Sequence, residues 1–154
     1  MPGTIVWGSG GTTYDLQLSG QGRSLTNGSI IQLSGQLNND GASGGPHFFA
    51  LAELVCAASG FGAAVQALAT IDLFLVPSRD GTNFATASTS GVSPNHYKGS
   101  FAPEVSGNVT RWRMVIDGIP LLPVPYRAWI RNNTGQTLSS GYTVTANAYS
   151  EYYN

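Results

Sequence analysis

The sequence predicts an all-β domain, built as a sandwich or a barrel. From Leu25 onward, short apolar runs alternate with clusters of turn-forming residues. Within several of these runs, apolar and polar side chains alternate with a period of two, which is the period of a half-buried strand. Only 60–68 has the composition of a helix, and its length allows at most two turns. The repeated helical pattern that βαβ units require is therefore missing.

The apolar runs and the turn clusters between them predict seven strands. Their bounds are 29–37, 47–57, 67–76, 97–103, 110–117, 126–132 and 142–152. Glycine, asparagine and aspartate separate the runs and supply the backbone conformations that turns need. The clearest clusters are Asn39-Asp40-Gly41, Pro77-Ser78-Arg79-Asp80-Gly81, Asp117-Gly118 and Ser140-Gly141. Two prolines in 121–125 remove ladder donors, so that segment is expected to be an extended loop or an edge.

Alternation assigns side chains of three strands to the two faces of a sheet. In 111–116, Trp112, Met114 and Ile116 share one face, whereas Arg111 and Arg113 lie on the other. The inward sets are Trp112, Met114 and Ile116; Tyr126, Ala128 and Ile130; and Val144, Ala146 and Ala148. The outward set of 126–131 is Arg127, Trp129 and Arg131.

The glycine-rich segment 1–22 carries few apolar residues and is expected to form an extended N-terminal arm, with the β-sandwich domain spanning 23–154. Its apolar residues, which could anchor it to a neighbouring subunit, are Ile5, Val6, Trp7, Tyr14, Leu16 and Leu18. A frayed terminus is the alternative. The segment also lacks a basic region followed by an apolar stretch, so synthesis in a cytoplasm is expected.

The charge composition limits the partners. Charged residues make up 10% of the chain against roughly 25% in soluble proteins, the formal net charge is −1, and Lys98 is the sole lysine. A nucleic-acid or membrane-surface binder would need a clustered basic face, and the sequence has none. No apolar run approaches the length of about 18 residues that spans a bilayer. A neutral polar surface of this kind is common in proteins that pack against copies of themselves or other subunits.

The sequence contains few candidate catalytic residues. Glu53 and Asp72 lie within apolar strand patterns and are the best pair of candidate catalytic carboxylates. The favoured interpretation places them on a solvent or interface face, or beside an arginine. His47 and His96 are the only histidines, and no group of ligands has metal-binding spacing. The prediction is a non-enzyme without catalytic residues, cofactor or metal. Cys56 is expected to be a buried core residue.

Trp129 is the residue whose role is most open. An exposed tryptophan flanked by Arg127 and Arg131 could be a platform for a sugar ring, or it could be capped by neighbouring side chains. It could also be buried at a subunit contact, where Trp and Arg are enriched. The contact is the preferred interpretation because a weakly charged protein must shield its exposed aromatic rings.

Two segments resemble a known family. The stretch 71–84, IDLFLVPSRDGTNF, is similar to a strand-and-turn signature of small virion proteins of tailed bacteriophages, and YRAWIRNNTG at 126–135 adds to the likeness. Residues 25–154 thereby resemble jelly-roll decoration proteins, also called cement or auxiliary capsid proteins. The resemblance implies a jelly-roll sandwich and a homotrimer on the outside of the virion, bound where major capsid protein subunits meet. It implies no catalytic residues.

Two functions follow as hypotheses. The first is a structural decoration protein that binds and stabilises the assembled capsid through an interface of Ile5, Val6, Trp7, Tyr14, Arg127, Trp129 and Arg131. The second is a module of a tail fibre or appendage that binds a host receptor or glycan.

Overall fold

The computed structural model describes residues 5–7, 12–18, 23–41, 46–57, 61, 68–85, 87–103 and 111–153. These residues form an all-β protein, as predicted, and no α-helix occurs among them. The expected short helix at 60–68 lies almost entirely outside the described residues.

Twelve strands account for most of the described chain. They are β1 (Ile5–Trp7), β2 (Thr12–Gln17), β3 (Ile30–Asn38), β4 (Phe49–Ala57), β5 (Thr70–Pro77), β6 (Ala87–Ser88), β7 (Gly91–Val92), β8 (Tyr97–Phe101), β9 (Arg111–Pro120), β10 (Pro125–Asn133), β11 (Thr143–Tyr149) and β12 (Glu151–Tyr153). All seven predicted strands are present, with ends shifted by a few residues. The last predicted strand is divided into β11 and β12.

Eight of these strands form two packed antiparallel sheets. Sheet I has the order β2-β11-β4-β9, and sheet II has the order β3-β10-β5-β8. Successive strands of this set lie in opposite sheets, except β5 and β8, which pair within sheet II. This strand order is that of an eight-stranded jelly roll. Two small sheets, β1-β12 and β6-β7, complete the described architecture.

One main core fills the space between sheets I and II. It includes the predicted inward sets of β10 and β11, and Met114 of β9; Ile116 packs against it, half-buried. The side chain of Trp112 lies outside the described part. The period-two pattern therefore assigned these strand faces correctly, because each face of a sheet receives every second side chain.

The predicted arm at 1–22 is shorter in the structure. Residues 12–17 form β2, which pairs with β11 along sheet I, and Leu16 is fully buried in the core. The sandwich therefore begins before residue 23. The glycines on both sides of β2 weaken its sequence signal, and its pairing with β11 holds it as a strand. Of the segment before β2, only the backbone of Ile5–Trp7 is described.

At one position, a close contact between the two sheets requires glycine. At Gly35 of β3, a Cβ atom would lie 2.0 Å from the carbonyl oxygen of Asp15 on β2. Only a residue without a side chain permits this contact. It holds the edge strand of sheet I against the edge strand of sheet II.

The Asp117-Gly118 pair does not end a strand, contrary to the prediction. β9 continues to Pro120, and its pairing with β4 shifts register between Ala50 and Ala52. The extra residues form a bulge, and Gly118 has a φ of 65°, a conformation suited to glycine. A turn and a bulge use the same residues, so the dipeptide alone does not separate them.

Cys56 lies in the main core, as predicted, and burial raises the pKa of its thiol to about 11. Because the thiolate is the reactive species, we expect a thiol-specific reagent at neutral pH to leave the native protein unmodified. Full labelling is expected once denaturant unfolds the chain. Rapid labelling of the native protein, followed by mass spectrometry, would contradict this burial.

Candidate interaction surfaces

The outer faces of the two sheets differ in how the chain itself covers them. On sheet II, the segment that follows β5 folds back over the outward side chains. Phe84, Ala87 and Val92 from this segment pack on a second apolar cluster on the sheet. The sheet contributes Ile30, Phe74, Val76 and Trp129. We call this the covered face.

The covering segment begins with a turn at 78–83 that several hydrogen bonds hold in place. The Asp80 carboxylate accepts hydrogen bonds from the backbone N–H groups of Asn83 and Thr82, at 2.7 and 2.9 Å, and from the side chains of Asn83 and Ser78. These donors, led by the Asn83 backbone, hold the pKa of Asp80 well below its ordinary value. The predicted Pro77–Gly81 turn chemistry is thereby confirmed, with Gly81 at a φ of 71°.

Trp129 is 7% exposed and belongs to this second cluster. Its strand position is outward, as the alternation predicted, but the chain's own segment covers the ring. It is therefore not the exposed platform considered from the sequence. The Arg127 guanidinium lies 4.1 Å from the ring centre of Phe84, and that of Arg131 lies 5.4 Å from the ring centre of Phe74.

Two clefts adjoin Trp129 on the covered face, and both also include Gln32, its cross-strand partner. The first has a volume of about 420 Å³, and its other lining residues include Gln17, Arg23, Ser34 and Thr89. The second has a volume of about 350 Å³, and its other lining residues include Thr82, Asn83, Phe84 and Arg127. Amide, hydroxyl and guanidinium groups line both clefts together with apolar side chains.

The outer face of sheet I carries half-buried and exposed side chains. Val115 of β9 is 48% exposed, and Leu51 of β4 is half-buried. Phe49 stacks on Tyr149 of β11 with 5.9 Å between ring centres. We call this surface the open face; it is defined by the outward side chains Phe49, Leu51, Glu53, Arg113, Val115 and Tyr149 of β4, β9 and β11.

One ion pair crosses the open face. The Arg113 Nε donates to a carboxylate oxygen of Glu53 at 3.2 Å. The expectation that Glu53 faces outward beside an arginine is confirmed. Because Arg113 is largely exposed, the pair adds little to folding stability.

Glu53 and Asp72 do not form a two-carboxylate site. Glu53 lies on the outer face of sheet I, whereas Asp72 of β5 lies on the outer face of sheet II. The Asp72 carboxylate accepts hydrogen bonds from Ser100 at 2.6 Å and Asn133 at 2.7 Å. The core of the sandwich separates the two carboxylates, so they cannot flank one glycosidic bond.

The histidines are also apart. His47 is buried, and its Nε2 lies 3.3 Å from the Thr12 hydroxyl, whereas His96 lies in a short 3-10 turn at Pro94–His96. Among the described residues, no three His, Cys, Asp or Glu side chains lie together as a metal site. The described chain also has no helix long and apolar enough to cross a membrane.

The structure does not bring the predicted interface residues into one patch. The side chains of Ile5, Val6 and Trp7 lie outside the described residues. Tyr14 of sheet I packs against the main core and donates from its hydroxyl to the Asn38 carbonyl oxygen. It therefore faces away from the surface that contains Arg127, Trp129 and Arg131.

The open face was missed by the sequence analysis, although a signal for it was present. Ala52 and Leu54 alternate inward in β4, which leaves Leu51 and Glu53 outward. The same pattern in β9 leaves Val115 outward beside Arg113. An apolar residue at an outward position of a strand indicates a surface that another group covers.

No protein-family model matches the chain, and neither the curated proteins nor the solved structures give a significant match. The described residues form an all-β sandwich. A segment of the chain itself covers the outer face of sheet II, whereas the open face of sheet I stays partly exposed.

Proposed function

We propose that this protein is a structural virion component that binds the outside of the assembled phage capsid and stabilises it, as a homotrimeric decoration protein. The observation that supports the proposal most strongly is the open face. It presents partly exposed apolar side chains on a rigid sheet, and its one ion pair is internal.

The open face has the composition of a contact surface. Protein interfaces are enriched in aromatic residues and arginine, and their centres are poor in unpaired charge. Phe49, Tyr149 and Arg113 supply the first property, and the pairing of Arg113 with Glu53 supplies the second. We infer that a major capsid protein subunit covers this face. A contact of this kind depends little on salt because few of its charges are unpaired.

The low overall charge agrees with this proposal. A chain with 10% charged residues gains little from the hydration of charged groups or from charge repulsion between copies. Burial against other subunits compensates for that deficiency. In the trimer, the face not directed at the capsid would be the covered face, where the chain already shields its own apolar cluster.

The test uses capsids that lack this chain and purified protein added back to them. We expect Val115→Asp to weaken capsid binding by about tenfold or more, because it replaces an exposed apolar side chain of the contact with a second carboxylate opposite Glu53. Cosedimentation with the capsids measures the effect. Leu68→Asp is the matched control: Leu68 is 99% exposed, has a φ of 65°, and lies outside the open face. Aspartate tolerates that left-handed backbone.

Leu51→Asp provides a second variant on the open face. Circular dichroism establishes that each variant is folded before the binding measurement. Equal binding by wild type, Val115→Asp and Leu51→Asp would exclude the open face. Failure of the wild-type protein to bind capsids, or a monomeric mass for the free protein, would overturn the decoration function itself.

A further inference from the structure

We propose that the two clefts beside Trp129 form one binding groove for an acidic oligosaccharide. Gln32 and Trp129 lie at their shared boundary, Arg23 lines one cleft, and Arg127 lines the other. The groove lies on the covered face, so it is independent of the open face and of the capsid-binding proposal.

The groove spans two strands and the folded-back cover. Gln32 of β3 and Trp129 of β10 are cross-strand neighbours, so both lie between the two clefts. The Asp80-bonded turn positions Thr82 and Asn83 along one wall. Because hydrogen bonds fix that wall, it is already in place before a ligand arrives, which lowers the entropic cost of binding.

The arginines indicate a negatively charged ligand. In the described part of the chain, the sole ion pair joins Arg113 and Glu53 on the opposite face, so neither Arg23 nor Arg127 has a carboxylate partner there. The Phe84 ring holds the Arg127 guanidinium in place at 4.1 Å without neutralising it. A fixed, unpaired guanidinium is suited to bidentate binding of a carboxylate. Asp80 does not line either cleft.

The other lining groups indicate a polyhydroxylated ligand. Gln32 is exposed, and its side-chain amide has no hydrogen-bond partner among the described residues. Amide groups donate to one hydroxyl and accept from another, which matches the adjacent hydroxyls of a sugar ring. Hydroxyls of Ser34, Thr82 and Thr89 add further polar contacts along the walls.

A sugar chain fits this groove better than an acidic peptide. An extended peptide binds a sheet through main-chain hydrogen bonds at an edge strand. Here β10 is an inner strand, so its backbone groups are already bonded to β3 and β5. The outer edge of β3 is occupied by β2: the Ser34 backbone N–H donates to the Gln17 side chain at 3.2 Å, and Gly35 lies against the Asp15 carbonyl oxygen. Binding in the groove therefore depends on the side chains that line it.

The experiment titrates the full chain with an oligogalacturonate of four to six residues by isothermal calorimetry. A neutral oligogalactan of equal length and oligoglutamate are the comparison ligands. We expect the oligogalacturonate to bind with a Kd below about 1 mM, and both comparison ligands to bind at least about tenfold more weakly. Gln32→Ala and Arg127→Lys are each expected to weaken binding of the acidic sugar about tenfold, since each removes paired hydrogen bonds.

Arg113→Lys is the matched control, because it makes the same change on the open face. Thermal denaturation establishes that each variant is folded, and Arg127→Lys keeps the charge while it removes the planar fork. Equal effects of Arg113→Lys and Arg127→Lys, including no loss in either, would show that the planar fork of Arg127 does not bind the ligand and would overturn the proposal. So would tighter binding of oligoglutamate, or no binding of oligogalacturonate at about 10 mM. Capsid binding by Gln32→Ala and Arg127→Lys is expected to stay unchanged, which separates this proposal from the function proposed above.

Discussion

Replacement of Trp129 by alanine is expected to destabilise the folded protein by about 3 kcal/mol. The ring is 7% exposed and packs with Phe74 and Val76 of sheet II and with Phe84 of the covering segment. Removal of the indole leaves a cavity beneath that segment, which then loses its main contact with the sheet. For a chain of this size, the loss corresponds to a fall in Tm of roughly 10 °C, measured by calorimetry.

Trp129→Phe is the control for this prediction. It keeps an aromatic ring on the sheet and is expected to cost about half as much as the alanine variant. An alanine variant with the wild-type Tm that failed only in subunit association would contradict the structure. That result would support the subunit contact favoured from the sequence.

Replacement of Asn132 by alanine is expected to destabilise the protein by a similar amount, about 3 kcal/mol, because it leaves several buried polar groups without partners. Asn132 is fully buried. Its side-chain Nδ2 donates to the carbonyl oxygens of Leu25 and Gln136, each at 2.7 Å. Its Oδ1 accepts from the backbone N–H of Thr134 at 3.0 Å and from the Thr134 hydroxyl at 2.6 Å. The side chain thus joins the segment before β3 to the turn after β10.

The neighbouring Asn133 offers a matched control. It is exposed and donates one hydrogen bond, to Asp72 at 2.7 Å. Asn133→Ala is expected to cost about 1 kcal/mol or less. Urea denaturation of both variants measures the difference; equal midpoints for the two would show that the buried network around Asn132 contributes nothing specific.

Both predictions concern side chains whose partners in the folded protein the sequence patterns do not specify. Asn132 stands in an Asn-Asn-Thr-Gly turn cluster whose composition does not distinguish it from Asn133, although the period of two in 126–132 continues inward at Asn132. Asn132 is buried, whereas Asn133 is exposed. The Asn132 amide bonds to the carbonyl oxygen of Leu25, which lies far away in the sequence. Trp129 is likewise outward on its strand yet covered, because a segment 37 to 45 residues earlier in the chain folds over it.

The two proposed binding surfaces also depend partly on local sequence pattern and partly on tertiary packing. Alternation in the sequence identifies which side chains leave each sheet, but it does not show which outer face the chain covers for itself. The sequence pattern does not show on which sheet the segment after β5 packs. Its packing on sheet II leaves the open face of sheet I for a partner and shapes the two clefts beside Trp129.

The sequence by itself determined the all-β class, the positions of seven strands and the inward residues of β10 and β11. These properties follow from local spacing, because the pleat of a strand repeats every two residues. Tertiary structure decided that residues 12–17 join sheet I, that Asp117-Gly118 is a bulge, and which face stays open. Each of these depends on contacts between residues distant in the chain, and no local pattern specifies them.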